Sequence, residues 1–239
     1  QTKVERRFAG GLYFRNSFTW SKGIDNASGH LEAQNGDGSR VTIRNLAGER
    51  GVSGYNQALN NTTTLIYDLP FGKGRRFASG MNTAADLVLG GWRVTMINFA
   101  TTGTPVNLTY SPASQFQVSG APPYRPDITG NPVVPEGQRS VSNWLSRDTV
   151  LIPTDPSRPF GNAGRNIVTG PNFHQMNFGL HKDFRITESQ KIEFRMEAFN
   201  FLNKTNFNPP NGNRSAGNYG TITSTQQPRE IQFALRYAF

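Results

Sequence analysis

Arg229-Glu-Ile-Gln-Phe-Ala-Leu-Arg-Tyr-Ala-Phe239 closes the chain, and large apolar residues occupy every second position of it. Successive side chains of a β-strand point to opposite faces, so this pattern predicts a strand with one aromatic-rich apolar face. The apolar positions are Ile231, Phe233, Leu235, Tyr237 and Phe239. Burying five such side chains stabilises by roughly 10 kcal/mol in a protein core or in lipid, so energy alone leaves both media open.

The preceding segments repeat this period of two. In the predicted strand at 191–202, one face carries four charged residues: Lys191, Glu193, Arg195 and Glu197. The opposite face carries Ile192, Phe194, Met196 and Ala198. We predict that the charged row lines a wet lumen and that the apolar row faces hydrocarbon. A strand at 173–185 places Lys182 in its apolar row, where we expect the side chain to snorkel to the lipid headgroups.

Weaker alternation predicts three strands further upstream. In the stretch from Trp92, the residues Trp92, Val94 and Met96 compete with Ile97 and Phe99 on the opposite phase, which leaves its facing open and suggests a bulge. The fold class is therefore all-β, an antiparallel outer-membrane-type β-barrel segment of about six long strands. These strands are expected near 11–20, 55–69, 91–102, 173–185, 191–202 and 229–239.

The connections between these strands differ in length. If the C-terminus lies on the inner side, long outer loops near 21–54, 103–172 and 203–228 alternate with a short inner turn and an inner segment near 70–90. Long loops on one side of the membrane are typical of outer-membrane barrels. A soluble β-sandwich, the other class considered, has no reason to alternate loop lengths and would bury residues such as Phe194 and Phe233 against protein.

Composition excludes several kinds of site and one kind of membrane span. The 239 residues include 25 Gly and 15 Pro but no Cys, which excludes disulfides, thiolate zinc sites and a cysteine nucleophile. No run reaches the ~18 apolar residues of a membrane helix, whereas barrel strands need no such run. The chain starts at Gln1 without an initiator Met or a leader, which predicts no signal peptide and either a processed product or a piece of a longer protein.

Catalytic and metal chemistry have little support. His30, His174 and His181 are not spaced as the ligands of a zinc site would be. The segment with Asp25 and Asp37 fits an ordinary surface loop better than a calcium site. Neither a phosphate-binding loop nor a nucleophile motif occurs, so we expect no enzyme, no cofactor and no metal. The net charge of +9 would suit nucleic acid, but the basic residues are dispersed. We expect them instead to attract anionic lipopolysaccharide or ligands.

Several motifs resemble one family. They are Gly51-Val-Ser-Gly54, Tyr67-Asp-Leu-Pro-Phe-Gly-Lys-Gly-Arg-Arg76, Gly90-Gly-Trp-Arg93, Thr102-Gly-Thr-Pro105, Phe160-Gly-Asn-Ala-Gly-Arg-Asn166, Arg195-Met-Glu-Ala-Phe-Asn-Phe-Leu-Asn203 and the terminal strand. Each is weak alone, but the ordered set resembles the C-terminal β-barrel portion of TonB-dependent outer-membrane receptors, especially the Oar-like branch. The resemblance covers nearly the whole chain.

The resemblance implies an antiparallel barrel of about 22 strands with a plugged lumen. Six strands cannot close such a cylinder, so we expect residues 1–239 to form a partial barrel domain without the plug domain. The row Ile231, Phe233, Leu235, Tyr237, Phe239 matches the family's signal to the barrel assembly machinery, which reads it by strand addition. The implied role is non-enzymatic surface ligand binding or uptake at the bacterial outer membrane or cell surface.

Three outcomes remain open for the missing part of the barrel. The chain is a fragment of a larger barrel, or its strands close into a small barrel, or a processed fragment pairs with copies of itself through strand edges as an extracellular structural filament. The corresponding partners are membrane lipid or lipopolysaccharide, the assembly machinery, and either the rest of the receptor or further copies of the chain.

Overall fold

The computed structural model describes residues 1–28, 46–117, 121, 123–155 and 157–239. Within them, one seven-stranded antiparallel sheet pairs each strand with the next along the chain. Its strands are β1 (Thr2–Ala9), β2 (Leu12–Trp20), β3 (Leu59–Asp68), β4 (Trp92–Thr101), β5 (Phe173–Arg185), β6 (Lys191–Phe199) and β7 (Glu230–Ala238). The predicted all-β antiparallel fold is confirmed, with one strand more than the six expected.

The additional strand, β1, precedes the six predicted ones. Register places Arg6 opposite Phe14, in the row that also holds Val4. A charged residue in this row removes the alternation by which the other strands could be recognised. Gly10 and Gly11, both at positive φ, form the tight turn to β2, and a register shift lies between Arg6 and Ala9.

The sheet is open. Among the described residues, β1 and β7 are its two edges and do not pair with each other. The connections after β2, β4 and β6 lie at one end of the strands, which we call the outer end. Those after β1, β3 and β5 lie at the inner end, which we call the inner rim; they are the Gly turn and the segments 69–91 and 186–190.

Short elements occupy the long connections. Two-residue strands pair Ile24–Asp25 with Gly51–Val52, Pro105–Val106 with Val168–Thr169, and Asp127–Ile128 with Val150–Leu151. The helices are α1 (Leu46–Glu49) and α2 (Thr83–Leu89), with 3-10 turns at Ser114–Phe116 and Glu136–Gln138. In the described ranges, no helix is long and apolar enough to cross a membrane.

The buried core lies in the outer connections and not on the sheet. We call the described residues of 21–58, 102–172 and 200–229 the outer cap. Its core is a cluster formed by Val106, Leu108, Leu145, Val150, Val168 and Tyr219. The described parts of the second and third outer segments, which the sequence indicated only as Gly- and Pro-rich loops, therefore pack around a common core at the outer end of the strands.

Candidate membrane surface and outer cap

Cross-strand register aligns the apolar rows of the last three long strands. Phe194 of β6 lies opposite Leu235 of β7, and Met196 lies opposite Phe233. On the other side, Met196 faces Leu180 of β5. The rows therefore merge into one surface, which we call the apolar face of the sheet. Its members on these strands are Phe178, Leu180, Lys182, Phe184, Ile192, Phe194, Met196, Ala198, Ile231, Phe233, Leu235 and Tyr237.

Burial does not distinguish the two faces of β7, because an edge strand of an open sheet is exposed on both sides. Phe233 is 71% exposed and Leu235 is 74% exposed, and the intervening residues are exposed as well. The difference between the faces is chemical: one is aromatic and aliphatic, and the other is charged and amide-bearing.

The four residues predicted to face the lumen share the opposite face, which we call the polar face. Lys191 Nζ lies 2.6 Å from Glu193 Oε1 and 3.2 Å from Asp183 Oδ2. Glu197 accepts a hydrogen bond of 2.6 Å from Gln232 Nε2. Arg195 lies between them in the row and opposite Ala234. The charges thus form a ladder across β5, β6 and β7.

The facing of β4 is now settled. Trp92, Val94 and Met96 join the apolar face, opposite Lys182, Leu180 and Phe178. Ile97 and Phe99 lie on the polar face, and the ladders to β3 and β5 run without a bulge. The suggested bulge in this strand is therefore wrong: the ambiguity arose because apolar residues occupy both faces.

Lys182 lies on the apolar face as predicted but does not extend towards the headgroups on its own. Its side chain is almost fully buried, and Nζ donates to Val88 O at 3.3 Å and to Gly90 O. The ammonium also lies 5.1 Å from the ring centroid of Trp92. These carbonyls end α2, where a cation is favoured by the helix dipole. The inner connection 69–91 therefore holds the lysine.

Polar residues also occur on the apolar face, nearer its outer end. Asn16 Nδ2 donates to Asn61 Oδ1 and to Thr63 Oγ1, both at 2.8 Å. His174 Nε2 lies 2.9 Å from Asn98 Oδ1. Pairing between side chains reduces the cost of removing such groups from water.

From Phe178 to Phe184 the apolar row of β5 covers about 20 Å along the strand, comparable with the ~25 Å apolar band of membrane barrels.

Two ion pairs tie the first outer connection to the second. Arg165, whose side chain is 2% exposed, donates to the Asp25 carboxylate and, at 2.6 Å, to Asp25 O. Arg125 lies 3.0 Å from Glu49, and both side chains are largely buried. Burial alone would raise the pKa of Asp25, but hydrogen bonds from Arg165, Ser53 and Ser28 hold it below the ordinary value.

The third outer connection completes the cap. Thr109 N donates to Gly212 O at 3.0 Å, and Ile222 N donates to Val141 O at 2.7 Å. Tyr219 is buried in the core, which raises the pKa of its phenol to about 12. The guanidinium of Arg147 lies 5.3 Å from the centroid of the Tyr219 ring. The described parts of all three outer connections therefore contact one another.

Shallow pockets open on the cap. One of about 460 Å³ lies around Val133 and Arg147, and one of about 330 Å³ lies around Asn107 and Pro210. A third, of about 310 Å³, lies where the cap meets the polar face, and it combines Phe173, Gln175, Phe199, Asn200, Gln226, Gln227, Pro228 and Glu230. Sequence reasoning missed all three, because their residues come from segments without periodicity.

The two described histidines, His174 and His181, belong to no cluster of potential metal ligands. His174 contacts Asn98, and His181 Nε2 lies 3.1 Å from Thr95 Oγ1. In the part of the chain that the structure describes, no group of three potential ligands comes together. His30 and Asp37 lie outside the described residues. That the chain is not an enzyme stays a prediction.

Comparison with known proteins adds one finding. A family described as an outer membrane beta barrel domain matches residues 1–232. No curated protein and no solved structure matches the chain.

Proposed function

The chain belongs to the outer membrane beta barrel domain family, and from this premise we propose that it forms the C-terminal barrel part of a TonB-dependent receptor of the Oar-like branch. Family membership also places it in the bacterial outer membrane. The proposed role is non-enzymatic: surface ligand binding or uptake, with no cofactor. The observation that carries it is a packed cap over the outer end of a sheet with a continuous apolar face.

The cap supports recognition of an external ligand. Its second and third connections share one core, and two ion pairs tie the first connection to the second, so the pockets on its surface rest on a packed framework. Exposed basic residues outnumber exposed acidic ones in its described part. The basic ones are Lys22, Arg50, Arg147, Arg158, Lys204 and Arg229, against Glu136, Asp148 and Asp155. This excess supports lipopolysaccharide or an anionic ligand as a partner, rather than nucleic acid.

The polar face supports a lumen. Lys191, Glu193, Arg195 and Glu197 present alternating charges that would line a water-filled channel or contact a plug domain. The ion pairs of Lys191 with Asp183 and of Glu193 with Arg236 lie on the same side of the sheet. A wet interior would solvate this ladder, whereas hydrocarbon would not.

The terminal strand supports the assembly signal. Ile231, Phe233, Leu235, Tyr237 and Phe239 are all more than half exposed along a free sheet edge. The barrel assembly machinery would recognise such an edge by adding a strand, with the alternate side chains giving specificity. Removing Phe239 from the intact receptor should lower its amount in the outer membrane, whereas Gln232→Ser should not. An unchanged amount after the deletion would contradict the proposed signal.

The alternative is a processed fragment that self-assembles into an extracellular filament, and the two unpaired edges favour it. Strand direction limits how copies that share one orientation could pair. Because seven strands alternate in direction, β1 and β7 run the same way, so β7 of one copy could join β1 of the next only in parallel. Antiparallel β7–β7 pairing would turn one copy upside down. Antiparallel closure needs an odd number of further strands, as the rest of a receptor barrel could supply.

Size-exclusion chromatography in detergent and in buffer alone, followed by electron microscopy, separates these functions. The receptor part should be a discrete particle only in detergent, since the apolar face needs an apolar medium. Filaments that form without detergent would refute the receptor proposal and support the structural one.

A further inference from the structure

The inner connection 69–91 exposes a cluster of apolar residues on helix α2. Leu87, Val88 and Leu89 are 51%, 62% and 59% exposed. The two residues before them, Ala85 and Asp86, are half-buried. Three adjacent, largely exposed apolar side chains at the end of a short helix are costly in water and favourable in an apolar medium.

Contacts at the end of α2 fix which side of the sheet this cluster occupies. Trp92 Nε1 donates to Val88 O at 2.9 Å, and Lys182 Nζ donates to Val88 O at 3.3 Å. Trp92 and Lys182 are opposite each other on the apolar face. The C-terminal end of α2 is therefore attached to the lipid-facing side of the sheet, where the strands reach the inner rim.

Aromatic and basic side chains flank the helix in the same connection. Phe71 and Phe77 are about half exposed, with ring centroids 5.5 Å apart. The guanidinium of Arg76 lies 5.4 Å from the Phe77 centroid, and Lys73 and Arg75 are exposed. Aromatic rings beside cations are typical of the membrane interface, where the rings enter the acyl boundary and the cations meet headgroups.

We propose that connection 69–91 is a membrane-interface anchor that binds anionic phospholipid headgroups at the inner surface of the outer membrane. Two observations select this occupant. The exposed cluster is continuous, through Trp92 and Lys182, with the apolar face of the sheet. The flanking cations Lys73, Arg75 and Arg76 exceed the acidic charge of the connection, and Asp86 accepts a hydrogen bond of 2.7 Å from Lys73 N. The anchor rests on the proposed barrel function.

The 239 residues contain no cysteine, so a label enters this chain only at an introduced thiol. Any cysteine elsewhere in the receptor is first replaced by serine. The intact receptor carries Val88→Cys, with Phe233→Cys as the hydrocarbon reference and Ser189→Cys, in the neighbouring inner turn, as the water reference. It is reconstituted in phosphatidylethanolamine vesicles with or without phosphatidylglycerol. Relaxation by oxygen is compared with relaxation by a water-soluble nickel chelate.

The label at Val88 should favour oxygen, at a depth shallower than that at Phe233, and phosphatidylglycerol should draw it deeper. A Val88 label that behaves like the Ser189 label, while Phe233 remains in hydrocarbon, would overturn the anchor alone. Protection of Val88 from both reagents would also overturn it, because a protein would then cover the helix. A Phe233 label in water would instead refute the proposed barrel function.

A separate double variant tests the binding of anionic headgroups. Arg75→Gln with Arg76→Gln should lower the selectivity for spin-labelled phosphatidylglycerol about five-fold for each charge removed. The matched control, Arg158→Gln in the outer cap, removes a charge remote from the inner rim and should leave the selectivity unchanged. Equal loss in the two proteins would contradict a specific headgroup site.

Discussion

Phe233 and Gln232 are neighbours on β7 with opposite facing, so Phe233→Arg and Gln232→Arg form a matched test of the medium on each face. The Phe233 ring is largely exposed in the chain, and its centroid lies 6.5 Å from that of Phe194. If the apolar face met water, losing this ring would change the unfolding free energy by no more than about 0.5 kcal/mol. If it meets hydrocarbon, an arginine near the midplane costs ~2–4 kcal/mol.

A cost of ~2–4 kcal/mol corresponds to a change of roughly 30- to 1000-fold in the folding equilibrium constant. Gln232 donates to Glu197 across the polar face, and an arginine there can still donate to the same carboxylate. Gln232→Arg should therefore stay within about 1 kcal/mol of the parent. The assay is urea unfolding of the intact receptor in lipid vesicles. Equal losses at both positions, or equal tolerance, would refute the assignment of the two faces.

Three further predictions concern the outer cap and the inner rim. Leu108→Ala removes a fully buried side chain and should cost about 2–5 kcal/mol, measured as faster proteolysis of the cap, with exposed Val141→Ala as the control. Because the folded pKa of Asp25 is depressed, the stability from its pair with Arg165 is present above the unfolded value of about 3.9 and is lost as pH falls through the folded pKa. Acid titration of the cap should show this loss, and Asp25→Asn should abolish it. Lys182→Met leaves the carbonyls of Val88 and Gly90, at the end of α2, without their charged donor and should cost about 1.5–3 kcal/mol, seen as faster amide exchange in the last turn of α2.

The long strands could be predicted from sequence because their two faces differ in chemistry. β6 and β7 alternate cleanly, so a period of two identifies both the strands and their facing. β1 was missed because Arg6 stands in the apolar row, and β4 was ambiguous because Ile97 and Phe99 lie on the polar face. Periodicity fails wherever one face carries both kinds of side chain.

The outer cap could not be predicted in the same way. Its core brings Leu108 and Leu145 together with Tyr219 from segments far apart in the sequence. Few of its residues belong to regular strands, and its connections are held by backbone hydrogen bonds such as that from Thr109 N to Gly212 O. No local pattern encodes such pairings. The candidate pockets depend on these long-range pairings and therefore could not be predicted from the sequence.

The cap and the sheet differ in how far the protein itself buries their apolar side chains. Among the described residues, the fully buried apolar side chains belong to the cap, except for Ala198 on the sheet. The cap thus has a core of its own, whereas in the proposed barrel the apolar face of the sheet would meet lipid. Changes on the surface of the cap leave the membrane-facing rows unaltered, because Leu108 and its neighbours do not contribute to them. If the chain is the proposed receptor part, its cap could therefore change the ligand it binds while the sheet keeps the same hydrophobic surface and the same terminal strand.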